Sequence, residues 1–220
     1  MADLIQLNDP RVDQELQRYL AELDALAFAA LEREMPESEF RQELERSALA
    51  ALFVFFLLGG GDFSVPGATG MVDQRRSVIR QSVAKLANDI YSGKYSRQVA
   101  EGAVKRTAEE GRDMLRNRLT LWANDGASHF ESGKVHSPPR LNAETGTIEE
   151  PRYQWRRGPT SDSCSDCIAL DGVILTASEW RRTGIQPKSF DLECRGFNCL
   201  CELVQVQEPS VGFENLEVFI

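Results

Sequence analysis

All five cysteines of this chain fall in one stretch, at Cys164, Cys167, Cys194, Cys199 and Cys201. A small apolar residue packs as well as a thiol, so sulfurs gathered this closely imply that they meet for a chemical reason. Cys164 and Cys167 stand two residues apart, which lets both thiolates of one turn face a single tetrahedral ion. Cys194, Cys199 and Cys201 form a second group further on. Two such groups pinching a loop are the layout of a structural zinc site. Four of the five cysteines would ligate and one would be spare.

Two other chemistries use the same residues. The five thiols could form disulfide pairs with one left over, or Cys164 and Cys167 could act as a redox dithiol. The opening residues MADLIQLNDP are polar and lack an apolar h-region, so the expectation is a chain made in a reducing cytosol, where disulfides are disfavoured. A particle released into the environment could still oxidise later. A Ser/Asp run precedes Cys164 where a redox dithiol would follow a strand and open a helix.

The order of residues around the cysteines resembles a known signature. Trp155 is followed by Ser161-Asp162, then Cys164-x-x-Cys167-x-x-Leu170-x-Gly172, Pro187 and Cys199-Leu200-Cys201. This is similar to the C-terminal signature of the Mu F-like head morphogenesis family of phage minor head proteins. That family carries a histidine before its final cysteine pair, whereas no His lies between Cys167 and Cys201 here, and Cys194 occupies that region. The resemblance covers the last quarter to third of the chain and implies a virion structural protein. Such a protein would contact portal or capsid proteins during head assembly in the host cytoplasm, with self-association possible.

Upstream, the sequence reads as helices. Asp9 caps and Pro10 opens a first helix whose stripe is Val12, Leu16, Leu20, Leu23 and Leu26, ended by Met35-Pro36. A second helix, starting near Pro36 to Glu39, carries the run from Ala48 to Leu58, apolar on every side and stopped by Gly59-Gly60-Gly61. Leu52, Phe53, Phe55 and Phe56 are therefore expected at the centre of an antiparallel helical assembly, or at a partner's interface. The run is too short to span a bilayer, which needs about 20 residues. A third helix is expected from Val72 to Tyr91. A fourth is expected from a Ser96 cap to Asn124, ending at Asn124-Asp125-Gly126, with Ala103 and Gly111 allowing close approach. His129 and His136 then read as surface or loop histidines.

The fold class is thus α+β, with a mainly α-helical N-terminal part and a small Cys-rich α+β C-terminal domain. The expected domains are a helical part over 1–131, a linker or extended loop over 132–151, the Cys-rich domain over 152–207 and a tail over 208–220. Short strands are expected at Tyr153–Arg156, Val173–Leu175 and Cys201–Gln207, and a helical turn capped by Thr176 or Ser178. The apolar tail residues Val218 and Phe219 suit a partner's groove or sheet edge.

The triple glycine lacks the Lys-Ser/Thr of a phosphate loop, and neither G-x-S-x-G nor H-E-x-x-H occurs. The expectation is a protein that is not an enzyme. The net charge of −9 opposes nonspecific DNA binding. A zinc-knuckle nucleic-acid module is nevertheless the alternative, because Arg156, Arg157, Arg181, Arg182, Lys188 and Arg195 surround the cysteines in sequence.

Overall fold

The computed structural model describes residues 9–32, 34–95, 108–143, 145–158, 163–189, 191–195 and 199–212. Its first helix, α1 (Pro10–Leu31), starts as the sequence implies. The Asp9 carboxylate accepts the Arg11 N–H at 2.9 Å, and Pro10 needs no partner in the first turn. Val12, Leu16, Tyr19, Leu23, Ala27 and Ala30 form its buried stripe. Next come α2 (Glu37–Leu58), α3 (Ala68–Tyr91) and α4 (Ala108–Val135). Among the described residues two antiparallel sheets follow, so the fold is α+β with these strands in the C-terminal part. They are a hairpin of β1 (Arg140–Leu141) with β2 (Ile148–Glu149), and a three-stranded sheet ordered β4-β3-β5. In the latter, β3 (Arg152–Arg156) lies between β4 (Ile174–Thr176) and β5 (Glu202–Val206). Two short helices, α5 (Ser165–Leu170) and α6 (Ala177–Thr183), lie between the strands in sequence.

The chain divides into two compact units, Met1–Val54 with Gly70–Gly126, and Phe55–Thr69 with Ala127–Ile220. The first unit is helical and laced by ion pairs. Arg116 reaches Asp24 at 3.4 Å, Arg112 reaches Glu32 at 2.7 Å and Arg80 reaches Glu45 at 2.7 Å. Exposed pairs of this kind contribute little each, so the buried apolar faces carry this unit. The Tyr91 hydroxyl also donates to the Met35 carbonyl at 2.5 Å, and Tyr91 stacks at a tilt on Phe40 with centroids 6.0 Å apart. Gly111 packs against the Tyr95 backbone, so the expected close approach exists there; Ala103 and the Ser96 cap lie outside the described residues.

The second unit begins with the end of α2. Leu52, Phe55 and Phe56 are fully buried within the chain, while Phe53 is half-buried and Leu57 is 54% exposed. The run from Ala48 to Leu58 is therefore not enclosed on every side. Its three most buried members are core, not a docking surface. Phe56 stacks on Phe63 with centroids 4.8 Å apart. Just beyond, the backbone of Gly59 meets that of α4 at Gly133. A Cβ on Gly133 would stand 2.1 Å from the Phe56 carbonyl oxygen, so only glycine permits this approach.

The largest departure from the sequence reading is α4. It does not end at Asn124-Asp125-Gly126 but continues to Val135. A glycine inside a helix costs about 1 kcal/mol, and the burial of Ala127, Phe130 and Val135 outweighs that cost. As a result, His129 and His136 are 4% and 6% exposed, not surface residues. The His136 ring nitrogen Nδ1 lies 2.8 Å from the Ser132 carbonyl oxygen. The segment expected as a linker also holds the last turn of α4 and the β1–β2 hairpin. Val218 and Phe219, expected to meet a partner, lie outside the described residues.

Two measurements test this packing. Gly133→Ala should destabilise the chain by about 2–3 kcal/mol in urea unfolding, because the added methyl has no space. Burial holds the His136 pKa below its ordinary value, with the nearby Arg181 charge acting in the same direction and the Ser132 hydrogen bond opposing it. The unfolded chain therefore takes up this proton first. Stability from this group is full above about pH 6.5 and is lost as pH falls through the folded pKa. His136→Gln should remove that component from the pH dependence of unfolding.

Candidate metal centre

The sheet supplies the platform. Cross-strand pairing places Trp155 opposite Leu203 and Arg156 opposite Glu202. Trp155 turns its backbone toward the β4 side, where its N–H meets the Val173 carbonyl at 2.8 Å. Leu203, its antiparallel partner, therefore points its own N–H and C=O away from β3. Two α4 side chains satisfy them: Glu131 accepts the Leu203 N–H at 2.9 Å and Lys134 donates to the Leu203 carbonyl at 2.7 Å. Glu131 and Lys134 also pair at 2.9 Å, with the Glu131 side chain fully buried. The outer edge of β5 is thus closed by a charged pair.

On this platform, Tyr153, Trp155, Leu170, Leu175, Trp180 and Leu203 form one buried cluster that includes Cys167, Cys199 and Cys201; Cys164 and Cys194 pack against it. The α6 helix is locked in place by a capping box between Thr176 and Glu179, and the Trp180 indole donates to the Tyr153 carbonyl at 2.9 Å.

Three devices deliver the sulfurs. Cys164 caps α5, its sulfur accepting the Cys167 N–H at 3.4 Å, so the first pair is fixed by one helical turn. Glu193 then ties that turn to the next segment. It accepts the Ser165 N–H at 2.9 Å and the Ser165 hydroxyl at 2.7 Å, while its own N–H donates to Asp166 at 2.6 Å. This sets Cys194 beside Cys164. Finally, Cys199 and Cys201 alternate with the exposed Leu200, so both sulfurs lie on the inner face of an extended segment. Gly158 lies against that segment: a Cβ there would stand 2.3 Å from the Leu200 Cβ.

The result differs from two separate groups. The sulfurs of Cys164, Cys167 and Cys194 lie within 4.8 Å of one another, and so do those of Cys167, Cys199 and Cys201. Cys194 joins the first pair, and Cys167 is common to both sets. No disulfide joins any of the five cysteines. The Cys167 and Cys199 sulfurs are 3.9 Å apart, whereas a disulfide needs about 2.05 Å. Two thiolates held at about 2.3 Å by one tetrahedral ion lie about 3.8 Å apart. The spacing fits a metal centre, and the cluster could hold a metal ion.

Hydrogen bonding favours the thiolate at Cys164 and Cys199. Burial opposes ionisation of Cys164, but hydrogen bonds from the amides and thiols of Cys167 and Cys194 outweigh it and lower its pKa. Hydrogen bonds from the Cys167 and Cys201 thiols, assisted by the Lys188 amide, push Cys199 down. Cys167 is pushed up by its hydrogen bonds with the Cys199 and Cys201 sulfurs and by burial. At Cys201 the hydrogen bond with Cys167 and the Gly158 amide favour the thiolate, but the bond with Cys199 and burial outweigh them and push its pKa up. Backbone donors aimed at sulfur are the outer support that metal thiolates need.

The basic residues near the cysteines are in part spent internally. Lys188 is buried and donates to the Cys201 carbonyl, Arg157 pairs with Asp171 at 3.4 Å, and Arg181 donates to the Val135 carbonyl at 2.9 Å. Sequence reasoning missed Gly158, Glu131, Lys134 and Glu193 as parts of the site. A glycine directly after the Trp155 strand and before the first cysteine pair was the only available signal. No protein-family model, curated protein or solved structure matches this chain.

Gly158→Ala should displace the Cys199–Cys201 segment and weaken zinc binding by about 10–100-fold, the range seen when outer-shell support is lost. Competition against a colorimetric chelator measures this, with circular dichroism confirming that the helices persist.

Proposed function

We propose that this protein is a phage virion structural protein of the minor head type, and that a thiolate-bound zinc centre staples its C-terminal unit. The observation that carries the reading is the convergence of five cysteines from three segments onto one buried corner at Cys167. Zinc is the ion assigned because thiolates are soft ligands and zinc needs no redox partner. Its role would be structural: joining α5, the Cys194 turn and the entry to β5, and so reinforcing the Glu193 hydrogen bonds and the shared buried cluster that already hold them together.

The virion assignment is supported by the Trp155, C-x-x-C, L-x-G, C-x-C order of residues. The same order now has a physical logic. Trp155 provides the core of the sheet, Leu170 buries the last turn of α5 in the same cluster, and Gly172, at φ 87, makes the turn into β4 that a side chain would strain. Portal or capsid proteins are the partners this reading implies. No described helix is long and apolar enough to cross a membrane. The engaged Lys188, Arg157 and Arg181 weigh against a nucleic-acid module, which needs its cations free for phosphate.

The test has two arms. Chelation of zinc from the purified chain should lower its melting temperature by several degrees or more, with restoration on adding zinc. Mass spectrometry of purified particles from cells that make the chain should find it in heads. A chain insensitive to chelation would remove the staple, and a chain absent from particles would remove the virion role.

A further inference from the structure

We propose that the centre holds two zinc ions, not one, with the Cys167 thiolate as the bridging ligand between them. The inference rests on the metal reading above and deepens it. A single tetrahedral ion requires four sulfurs gathered around one point, leaving the fifth spare. The sulfurs instead form two triangles, Cys164–Cys167–Cys194 and Cys167–Cys199–Cys201, that share one corner. Each triangle is small enough for one ion at about 2.3 Å from its sulfurs after slight contraction.

The arrangement leaves no sulfur idle. Three protein ligands with one position left to a further donor is a coordination that zinc adopts readily. Charge favours the same count. Two divalent cations nearly neutralise five thiolates, whereas one cation would leave either excess negative charge or a protonated thiol in a largely buried pocket. The two triangles also differ in access. Cys167, Cys199 and Cys201 are 2%, 5% and 2% exposed, while Cys164 and Cys194 are half-buried. The ion of the first triangle should therefore exchange faster than the ion of the second.

Cys194 has a defined task on this account. It completes the outer triangle, held there by the contacts of Glu193 with Ser165 and Asp166. Arg195, at φ 50, turns the backbone away immediately afterwards. A spare thiol would not require its own anchoring carboxylate.

The experiment titrates zinc into the full chain after chelator stripping, counts bound ions by native mass spectrometry, and counts reactive thiols with a disulfide reagent. Two ions and no reactive thiol are expected in the unaltered chain. Cys194→Ser should bind one ion, and so should Cys199→Ser. One ion with one reactive thiol in the unaltered chain would overturn the bridged pair while leaving the single-ion staple standing. No bound ion and five reactive thiols would overturn both. The unaltered chain alone decides between these outcomes, so a variant that fails to fold does not obscure the result.

Discussion

The second unit depends on the position of one sulfur. Cys167 lies on a single turn of helix, buried beneath the sheet, and is the corner at which both sulfur triangles meet. Everything near it is arranged to bring sulfur there. The Cys164 cap orients the turn, the Glu193 carboxylate fastens the next segment to it, and the extended segment through Cys199 and Cys201 passes over Gly158. Unpaired thiolates so close together would repel one another. A cation converts that repulsion into attraction, and its binding free energy then becomes folding free energy for the segments it joins.

The platform beneath has its own logic. A three-stranded sheet buries little surface alone and exposes two edges. Here the Trp155 and Trp180 side chains, with ring centroids 5.7 Å apart, supply apolar mass. The Glu131–Lys134 pair closes the β5 edge at Leu203 by imitating a neighbouring strand: one group accepts where a carbonyl would and the other donates where an amide would. Removing either partner would leave a buried charge, which costs several kcal/mol. The continuation of α4 through Gly126 is what brings both side chains to the sheet, so a helix that looked finished in sequence is required for the strand edge.

Legibility in sequence followed the range of the interactions. The Asp9 cap, the Thr176 turn, the three short strands and the α+β class all rest on contacts between neighbours in sequence or on simple alternation. The path of α4 beyond Asn124-Asp125-Gly126 rests instead on burial of Ala127, Phe130 and Val135, which no local rule reports. The histidines were misread for the same reason. The cysteines announced a site by their number and spacing alone. Their grouping did not follow from spacing, because Cys194 is placed by Glu193 reaching across to Ser165, a contact between residues far apart in the chain. Gly158 offered only its identity, and a glycine in a loop has many explanations. The half-buried Phe53 beside the fully buried Phe55 and Phe56 shows the remaining limit: an unbroken apolar run signals burial without saying which side is covered.

The central claim is that sulfur binds metal in this chain, and X-ray absorption at the zinc edge of the zinc-loaded protein tests it most directly. The account predicts a first shell dominated by sulfur at about 2.3 Å. A shell dominated by nitrogen and oxygen at about 2.0–2.1 Å would contradict it, because the ion would then be held somewhere other than the five cysteines.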